Sequence, residues 1–174
     1  RLMVTTAMNE QRHVGVIGLG TGTLAAYGEV GDRFRFYELD PAVIKVARTE
    51  FGYLQATPAK VDVVLGDARL NLERESPNDF DVLVVDAFSG DAIPIHLITR
   101  EALRAYRRHM KPEGVIAFHV SNRFLSLPPV VQKLAEDQGM HAVLISDAPP
   151  APLAKTDWVL VSASEKPFTK PAIA

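Results

Sequence analysis

Residues Val14 to Asp40 read VGVIGLGTGTLAAYGEVGDRFRFYELD, and this stretch decides the fold. An apolar run enters a loop with three glycines, a helical segment follows, and a second apolar run ends at Glu38. Glycine suits such a loop because it adopts backbone angles that other residues avoid and lets a ligand approach the chain. An acid about 20 residues after the first glycine can accept hydrogen bonds from a ribose, and Glu38 follows Gly18 at that distance. The stretch therefore predicts a βαβ unit that binds a nucleoside.

The spacing of the glycines favours one class of nucleoside ligand over another. Gly18, Gly20 and Gly22 form G-x-G-x-G, and Thr23 stands where a dinucleotide-binding fold would place its third Gly or Ala. This pattern favours an S-adenosyl nucleoside over NAD. The alternative is that the glycines only form a tight turn from strand to helix, as in any α/β protein.

Composition limits the class of protein. The chain has 174 residues, 47% hydrophobic and 23% charged, which suits one domain with a single substantial core. A net charge of −2 gives no sign of the basic surface that nucleic-acid binding requires. The absence of cysteine excludes disulfides and thiolate metal sites. No apolar run approaches the about 18 residues of a membrane span. We expect one domain over residues 1–174, with a lead-in at 1–12, a core at 13–164 and a tail at 165–174, located in the cytoplasm.

Strand and helix patterns alternate along the chain, which predicts a doubly wound, mostly parallel, seven-stranded sheet of the α/β class. The predicted strands are His13–Ile17, Arg33–Glu38, Val61–Leu65, Phe80–Val85, Val115–Val120, Ala142–Ile145 and Trp158–Ala163. The predicted helices are Thr23–Glu29, Pro41–Phe51 with Asp40 as N-cap, Arg69–Arg74, Pro94 or Thr99 to Met110, and Leu127–Gln138. The last two strands have no helix between them, so we expect them to form an antiparallel hairpin.

Polar side chains stand at or near the ends of four predicted strands: Glu38, Asp67, Asp86 and His119. In a parallel sheet, ligands bind outside the carboxyl ends of the strands. Each residue also has a structural alternative, since Asp67 could cap the following helix, Asp86 could cap a loop, and His119 could be an ordinary strand histidine. Taken together, the four positions favour a functional site at this edge of the sheet.

The chain resembles the spermidine synthase family from about His13 to Ala163, through the segments VIGLGTGT, YELDP, LGDAR and VVDAFSGDAIP. The resemblance implies a Rossmann-like sheet of the methyltransferase type that binds decarboxylated S-adenosylmethionine, or S-adenosylmethionine, as co-substrate without a metal. It implies a cofactor site formed by Gly18, Gly20, Thr21, Gly22, Thr23, Glu38, Leu39, Asp67 and Ala68. Glu38 would hold the ribose, and Asp67 with Ala68 would contact the adenine.

The resemblance also implies that Asp86 is catalytic, as the first acid of the family's D-x-x-D motif. An amine must be neutral to attack the carbon beside a sulfonium, although a Lys-like amine has a pKa near 10.4, so a carboxylate is needed to take its proton. The expected acceptor pocket contains Ser89, Asp91 and His119. Acids of the family are replaced at Thr21 and Ser89, so we expect an acceptor less charged than putrescine.

Three functions remain open at this point. The first is an aminopropyltransferase that acts on a small-molecule amine, or another acceptor, and assembles as a homodimer. The second is an S-adenosylmethionine-dependent methyltransferase, and the third is a non-catalytic nucleoside-binding domain of a larger membrane protein. Asp86 and Asp91 are too few carboxylates for a confident metal site, and Ser89 is not in the G-x-S-x-G of a hydrolase.

Overall fold

The computed structural model describes residues 11–88, 93–122, 125–147 and 155–169. Seven strands form one sheet: β1 His13–Ile17, β2 Arg33–Glu38, β3 Lys60–Leu65, β4 Phe80–Val85, β5 Met110–His119, β6 His141–Asp147 and β7 Thr156–Ser162. Their order is β3-β2-β1-β4-β5-β7-β6. The first five strands are parallel, and β7 runs antiparallel to both β5 and β6. The predicted parallel sheet with a final antiparallel hairpin is confirmed.

The helices are α1 Pro41–Thr49, α2 Tyr53–Ala56, α3 Ala68–Arg74, α4 Arg100–Arg108 and α5 Pro128–Glu136. Short 3₁₀ helices lie at Thr23–Tyr27, Ile95–Leu97 and Lys166–Thr169. The Asp40 side chain accepts a hydrogen bond from the Ala42 N–H at 2.7 Å, so its predicted role as N-cap is confirmed.

The structure differs from the predictions in the bounds of several elements and in one additional α-helix. The segment after the glycine turn is a 3₁₀ helix that ends at Tyr27, before Gly28, whose backbone lies against the Ala59 and Phe34 side chains. The short helix α2 was not predicted, because four residues carry too little periodicity to recognise. Strand β5 begins at Met110 instead of at the predicted Val115. A shift in the register between β4 and β5 accommodates the residues before Val115.

The sheet is packed on both faces. On one face, Leu72, Leu103 and Val131 of α3, α4 and α5 join a large cluster of buried side chains with Leu83 and Val85 of β4. On the other, Ala25 of the first 3₁₀ helix and Ala47 of α1 pack with Phe36 and Val84. Strand β4 is therefore buried on both sides over residues 83–85, as the apolar run that follows Asp81 predicts.

His109, which follows α4, is fully buried. Its Nε2–H donates to the Leu72 carbonyl at 2.7 Å, and its Nδ1 lies 2.9 Å from the Asn78 amide nitrogen, which can donate to it. Burial is the main cause that lowers the pKa of His109 below its ordinary value. The neutral imidazole therefore has partners for both nitrogens in the folded protein.

Within the part of the chain that the structure describes, none of the helices combines the length and the hydropathy that crossing a bilayer requires.

Candidate functional site

A cavity of about 640 Å³ lies where β1, β2, β3 and β4 end. Several of the residues that the sequence analysis singled out line it together: Gly18, Gly20, Glu38, Leu39, Asp67, Ala68 and Asp86. Parallel strands bring these residues together because their carboxyl ends meet at one edge of the sheet. Binding by these residues stays a prediction, although the structure places them around one space.

Gly18 and Gly20, both in the turn after β1, differ in what a side chain would contact at each position. Gly18 has a φ of 96°, and a Cβ atom there would lie 2.4 Å from the Asp86 carbonyl oxygen. Its glycine is therefore needed for the close approach of the ends of β1 and β4, whether or not a ligand is present. Gly20 has a φ of 52° and lines the cavity, and a Cβ atom there would meet no atom within 4 Å.

The Glu38 carboxylate is held from two sides. One oxygen accepts a hydrogen bond from the Leu19 N–H at 3.0 Å, and the other accepts from the Asp40 N–H at 2.9 Å. Each carboxylate oxygen has a second lone pair, so Glu38 can still accept bonds from two ribose hydroxyls. Backbone N–H groups of the loops after β1 and β2 thus fix the orientation of this acid.

Asp67 has a structural role and a place in the cavity. One oxygen accepts from the Leu70 N–H at 2.9 Å and caps α3, which was the structural alternative for this residue. The other lies 2.9 Å from Nε2 of His96, which also lines the cavity. His96 is not among the predicted site residues, and its only signal in the sequence is its position two residues after the VVDAFSGDAIP segment.

Asp86 follows β4 and is joined to β5 by its side chain. Its backbone N–H donates to the Ile17 carbonyl at 2.9 Å, and its Oδ1 lies 2.7 Å from Nδ1 of His119. His119 does not line the cavity. Its ring stacks on that of Trp158, and the two ring centroids are 4.5 Å apart. The structure brings these two predicted site residues together, with the acid toward the cavity and the histidine behind it.

The structure describes three further predicted cofactor residues, Thr21, Gly22 and Thr23. Gly22 faces Leu54, and the Thr21 hydroxyl is 2.7 Å from that of Thr23. None of these three predicted cofactor residues lines the cavity in the structure. The predicted acceptor residues Ser89 and Asp91 lie outside the described residues.

The titratable side chains that line the cavity are mostly acidic. They are Tyr37, Glu38, Asp40, Asp67, Asp86 and His96, and no Lys or Arg is found among the described lining residues. Such a lining favours a cationic ligand over an anionic one. In residues 11–88, 93–122, 125–147 and 155–169, no group of three or more His, Asp or Glu side chains is placed to hold a metal ion.

The chain is similar in sequence to two polyamine aminopropyltransferases. It is 29% identical over 163 residues to that of Nitrosomonas europaea, covering 90% of this chain and 50% of the relative. It is 32% identical over 114 residues to that of Vibrio vulnificus, covering 63% of this chain and 36% of the relative. An N-terminal histidine N-methyltransferase of Emericella nidulans is 34% identical over 109 residues, covering 60% and 19% of the two chains. This chain therefore spans half or less of the length of these relatives.

Solved structures share the fold at lower identity. A spermidine synthase in complex with the transition state analogue AdoDATO gives a TM-score of 0.70 at 19% identity, covering 92% of this chain and 57% of that one. Human methyltransferase-like protein 13 in complex with SAH gives a TM-score of 0.68 at 19% identity, covering 89% and 73%. No protein-family model matches the chain.

Proposed function

We propose that this spermidine synthase-like chain binds decarboxylated S-adenosylmethionine in the cavity and transfers the aminopropyl group to an amine. The observation that carries the proposal is the acidic lining formed by Glu38, Asp40, Asp67 and Asp86. The similarity to polyamine aminopropyltransferases supports it. In this proposal Glu38 binds the ribose, Asp67 and Ala68 contact the adenine, and the aminopropyl tail extends past the glycine turn toward Asp86.

Charge distinguishes the decarboxylated donor from the intact one. Both carry a sulfonium and an ammonium group, but intact S-adenosylmethionine also carries a carboxylate. Two like charges about 5 Å apart repel by about 3 kcal/mol at an effective dielectric constant of about 20. An acidic cavity therefore favours the donor that lacks the carboxylate.

Asp86 takes the proton that the acceptor amine must lose. The nitrogen lone pair of the acceptor forms a bond to the methylene carbon beside the sulfonium, and the carbon–sulfur bond breaks with its electron pair left on sulfur. Because the attacking nitrogen must be neutral, the Asp86 carboxylate takes a proton from the acceptor's ammonium group before the bond forms, and the products are 5′-methylthioadenosine and the aminopropylated amine. A carboxylate at this place also attracts the cationic donor, which aligns the reacting atoms.

Titration calorimetry with the two donors tests the proposal. We expect decarboxylated S-adenosylmethionine to bind at least about 10-fold more tightly than the intact form, and Asp86→Asn to reduce this preference because one negative charge is removed. Glu136→Gln is the matched control, since it removes an exposed carboxylate on α5 that does not line the cavity. Equal or tighter binding of intact S-adenosylmethionine by the unmodified chain would contradict the proposal.

Methyl transfer is the second candidate, and the similarity to a histidine N-methyltransferase over 109 residues favours it. A methyltransferase would use intact S-adenosylmethionine in the same cavity. The donor preference in the calorimetry therefore separates the two functions, because each requires a different form of the same nucleoside.

A further inference from the structure

We infer that His119 is a positioning residue for Asp86. In its neutral form it carries its proton on Nδ1, donates to one carboxylate oxygen of Asp86 and leaves the other oxygen for the acceptor amine. The catalytic consequence rests on the proposed function, whereas the hydrogen-bond arrangement can be measured without it.

The Asp86 carboxylate, which only accepts, and the Asp157 backbone amide, which only donates, together support one direction for the hydrogen bonds. The Asp157 N–H can only donate, and it lies 2.8 Å from the Ser121 hydroxyl oxygen, which therefore accepts. The Ser121 hydroxyl can then donate its own hydrogen to Nε2 of His119, which is 2.9 Å away. With Nε2 as acceptor, the proton of neutral His119 lies on Nδ1, 2.7 Å from Asp86 Oδ1. An ionised carboxylate only accepts, so this arrangement satisfies all four groups.

Two carboxylates lie near the imidazole, and only one of them is directed at it. Asp86 contacts Nδ1 from the end of β4. The Asp157 carboxylate on β7 lies near His119 as well, but it binds the Ser146 hydroxyl at 2.6 Å and Lys155 Nζ at 3.2 Å. The side-chain partner of Nδ1 is therefore Asp86, which fixes the acid that His119 orients.

Aromatic contacts hold the imidazole plane. The Trp158 ring is parallel to it within 8°, and the Phe88 ring meets it edge-on with centroids 5.0 Å apart. His119 pairs directly with Trp158 across β5 and β7, so the sheet register sets this stack. The side chain of Asp86 is 34% exposed and that of His119 is 19% exposed. The acid thus faces the cavity while its hydrogen-bond donor stays behind it.

In this arrangement the two oxygens of the Asp86 carboxylate have different roles. Oδ1 is held by a charge-assisted hydrogen bond, which restricts rotation of the carboxylate. Oδ2 takes the proton that the attacking nitrogen loses, and His119 keeps its own proton throughout. His119 therefore acts through Asp86 and needs no contact with either substrate.

Nitrogen-15 NMR of the histidine rings tests the arrangement directly, on the unmodified chain at a pH where His119 is neutral. We expect protonated Nδ1 and unprotonated Nε2 as the main form, and Asp86→Leu should shift the tautomer population because it removes the acceptor. A main form protonated on Nε2 would overturn the inference. This measurement needs no substrate, so it is independent of the proposed function.

Two substitutions at His119 separate positioning from simple packing. Asparagine can present an amide N–H near the place of Nδ1, whereas leucine cannot donate. We expect His119→Leu to lower turnover by about 10–150-fold, the range for loss of a hydrogen bond to a charged group, while nucleoside affinity stays unchanged. His119→Asn should retain most of the turnover, and His141→Leu, the same change at a half-exposed histidine of β6 whose side-chain partner is Glu165, should match the unmodified protein.

The outcomes of these assays are distinct. Equal losses of turnover in both His119 variants, accompanied by equal losses of nucleoside affinity, would show that His119 is only structural and overturn the inference. Absence of any aminopropyl transfer by the unmodified chain would instead refute the proposed function. The tautomer measurement would then still decide whether His119 donates to Asp86.

Discussion

At the scale of single residues, Glu38 is an acid that the loops of the cavity hold in place and that we propose as the ribose ligand. Its two oxygens accept the Leu19 and Asp40 amides, which belong to the loops after β1 and β2. These bonds hold the carboxylate in place before any ligand arrives, which reduces the entropy that binding must overcome. Any substitution at Glu38 therefore affects both the loops and the proposed ribose contact.

Glu38→Gln should weaken binding of 5′-methylthioadenosine by about 10–150-fold, or about 1.5–3 kcal/mol. The amide group loses the charge, and its NH₂ cannot accept a bond from a backbone N–H or a ribose hydroxyl. Titration calorimetry measures the effect, and Glu136→Gln again serves as the control for loss of one charge. Unchanged affinity in Glu38→Gln would remove Glu38 from the ribose site.

At the scale of elements, the turn from β1 to the first 3₁₀ helix combines a structural glycine with one that faces open space. Gly18 lies against the backbone of Asp86, and Gly20 lines the cavity. Both have positive φ, where a Cβ atom costs about 1–2 kcal/mol. The two positions therefore offer a matched pair of substitutions within one element.

Gly18→Ala should destabilise the fold by more than Gly20→Ala, because only the first adds a clash with backbone atoms to the strain of positive φ. We expect Gly20→Ala to cost about 1–2 kcal/mol and to reduce nucleoside affinity, since its methyl group enters the cavity lining. Urea denaturation measures the stability and calorimetry the affinity. Equal destabilisation by the two substitutions would contradict this account of the turn.

At the scale of the whole molecule, buried titratable groups make stability depend on pH. Burial is the first cause that lowers the pKa of both His13 and His109, so each binds fewer protons in the folded chain than in the unfolded chain, where the pKa is about 6.5. Their neutral forms are accommodated fully above about pH 6.5, and stability falls as the pH drops through the lowered values. The carboxyls of Asp32 and Glu75, whose pKa values are also lowered, add a further loss only near and below about pH 4.

The free energy of unfolding should therefore decrease between about pH 7.5 and about pH 5.5, a window in which carboxylates contribute little. His109→Gln cannot titrate, so this variant should show a smaller decrease over the same window, although it is less stable overall. Urea denaturation at the two pH values provides the comparison, and His13 contributes to the pH dependence that remains. An identical decrease in the variant would show that His109 does not cause it.

The amino-acid sequence by itself determined the layers of the sheet and the acids at its edge. The bounds of β1, β2 and β4 follow from their apolar runs, which are local signals that end at glycine or at an acid. The positions of Glu38 and Asp86 follow from the runs of β2 and β4, and that of Asp67 from the run of β3, because parallel strands must end at one edge. These features need no knowledge of which distant residues meet.

The tertiary structure alone decided what those acids contact. His96 reaches Asp67 across 29 residues of sequence, and His119 reaches Asp86 across 33. The close approach that requires Gly18 likewise depends on how the ends of β1 and β4 pair, not on the glycine motif. Such contacts are set by strand register and by packing between elements, and a one-residue shift in register would direct each side chain to the opposite face. No local pattern in the sequence carries that information.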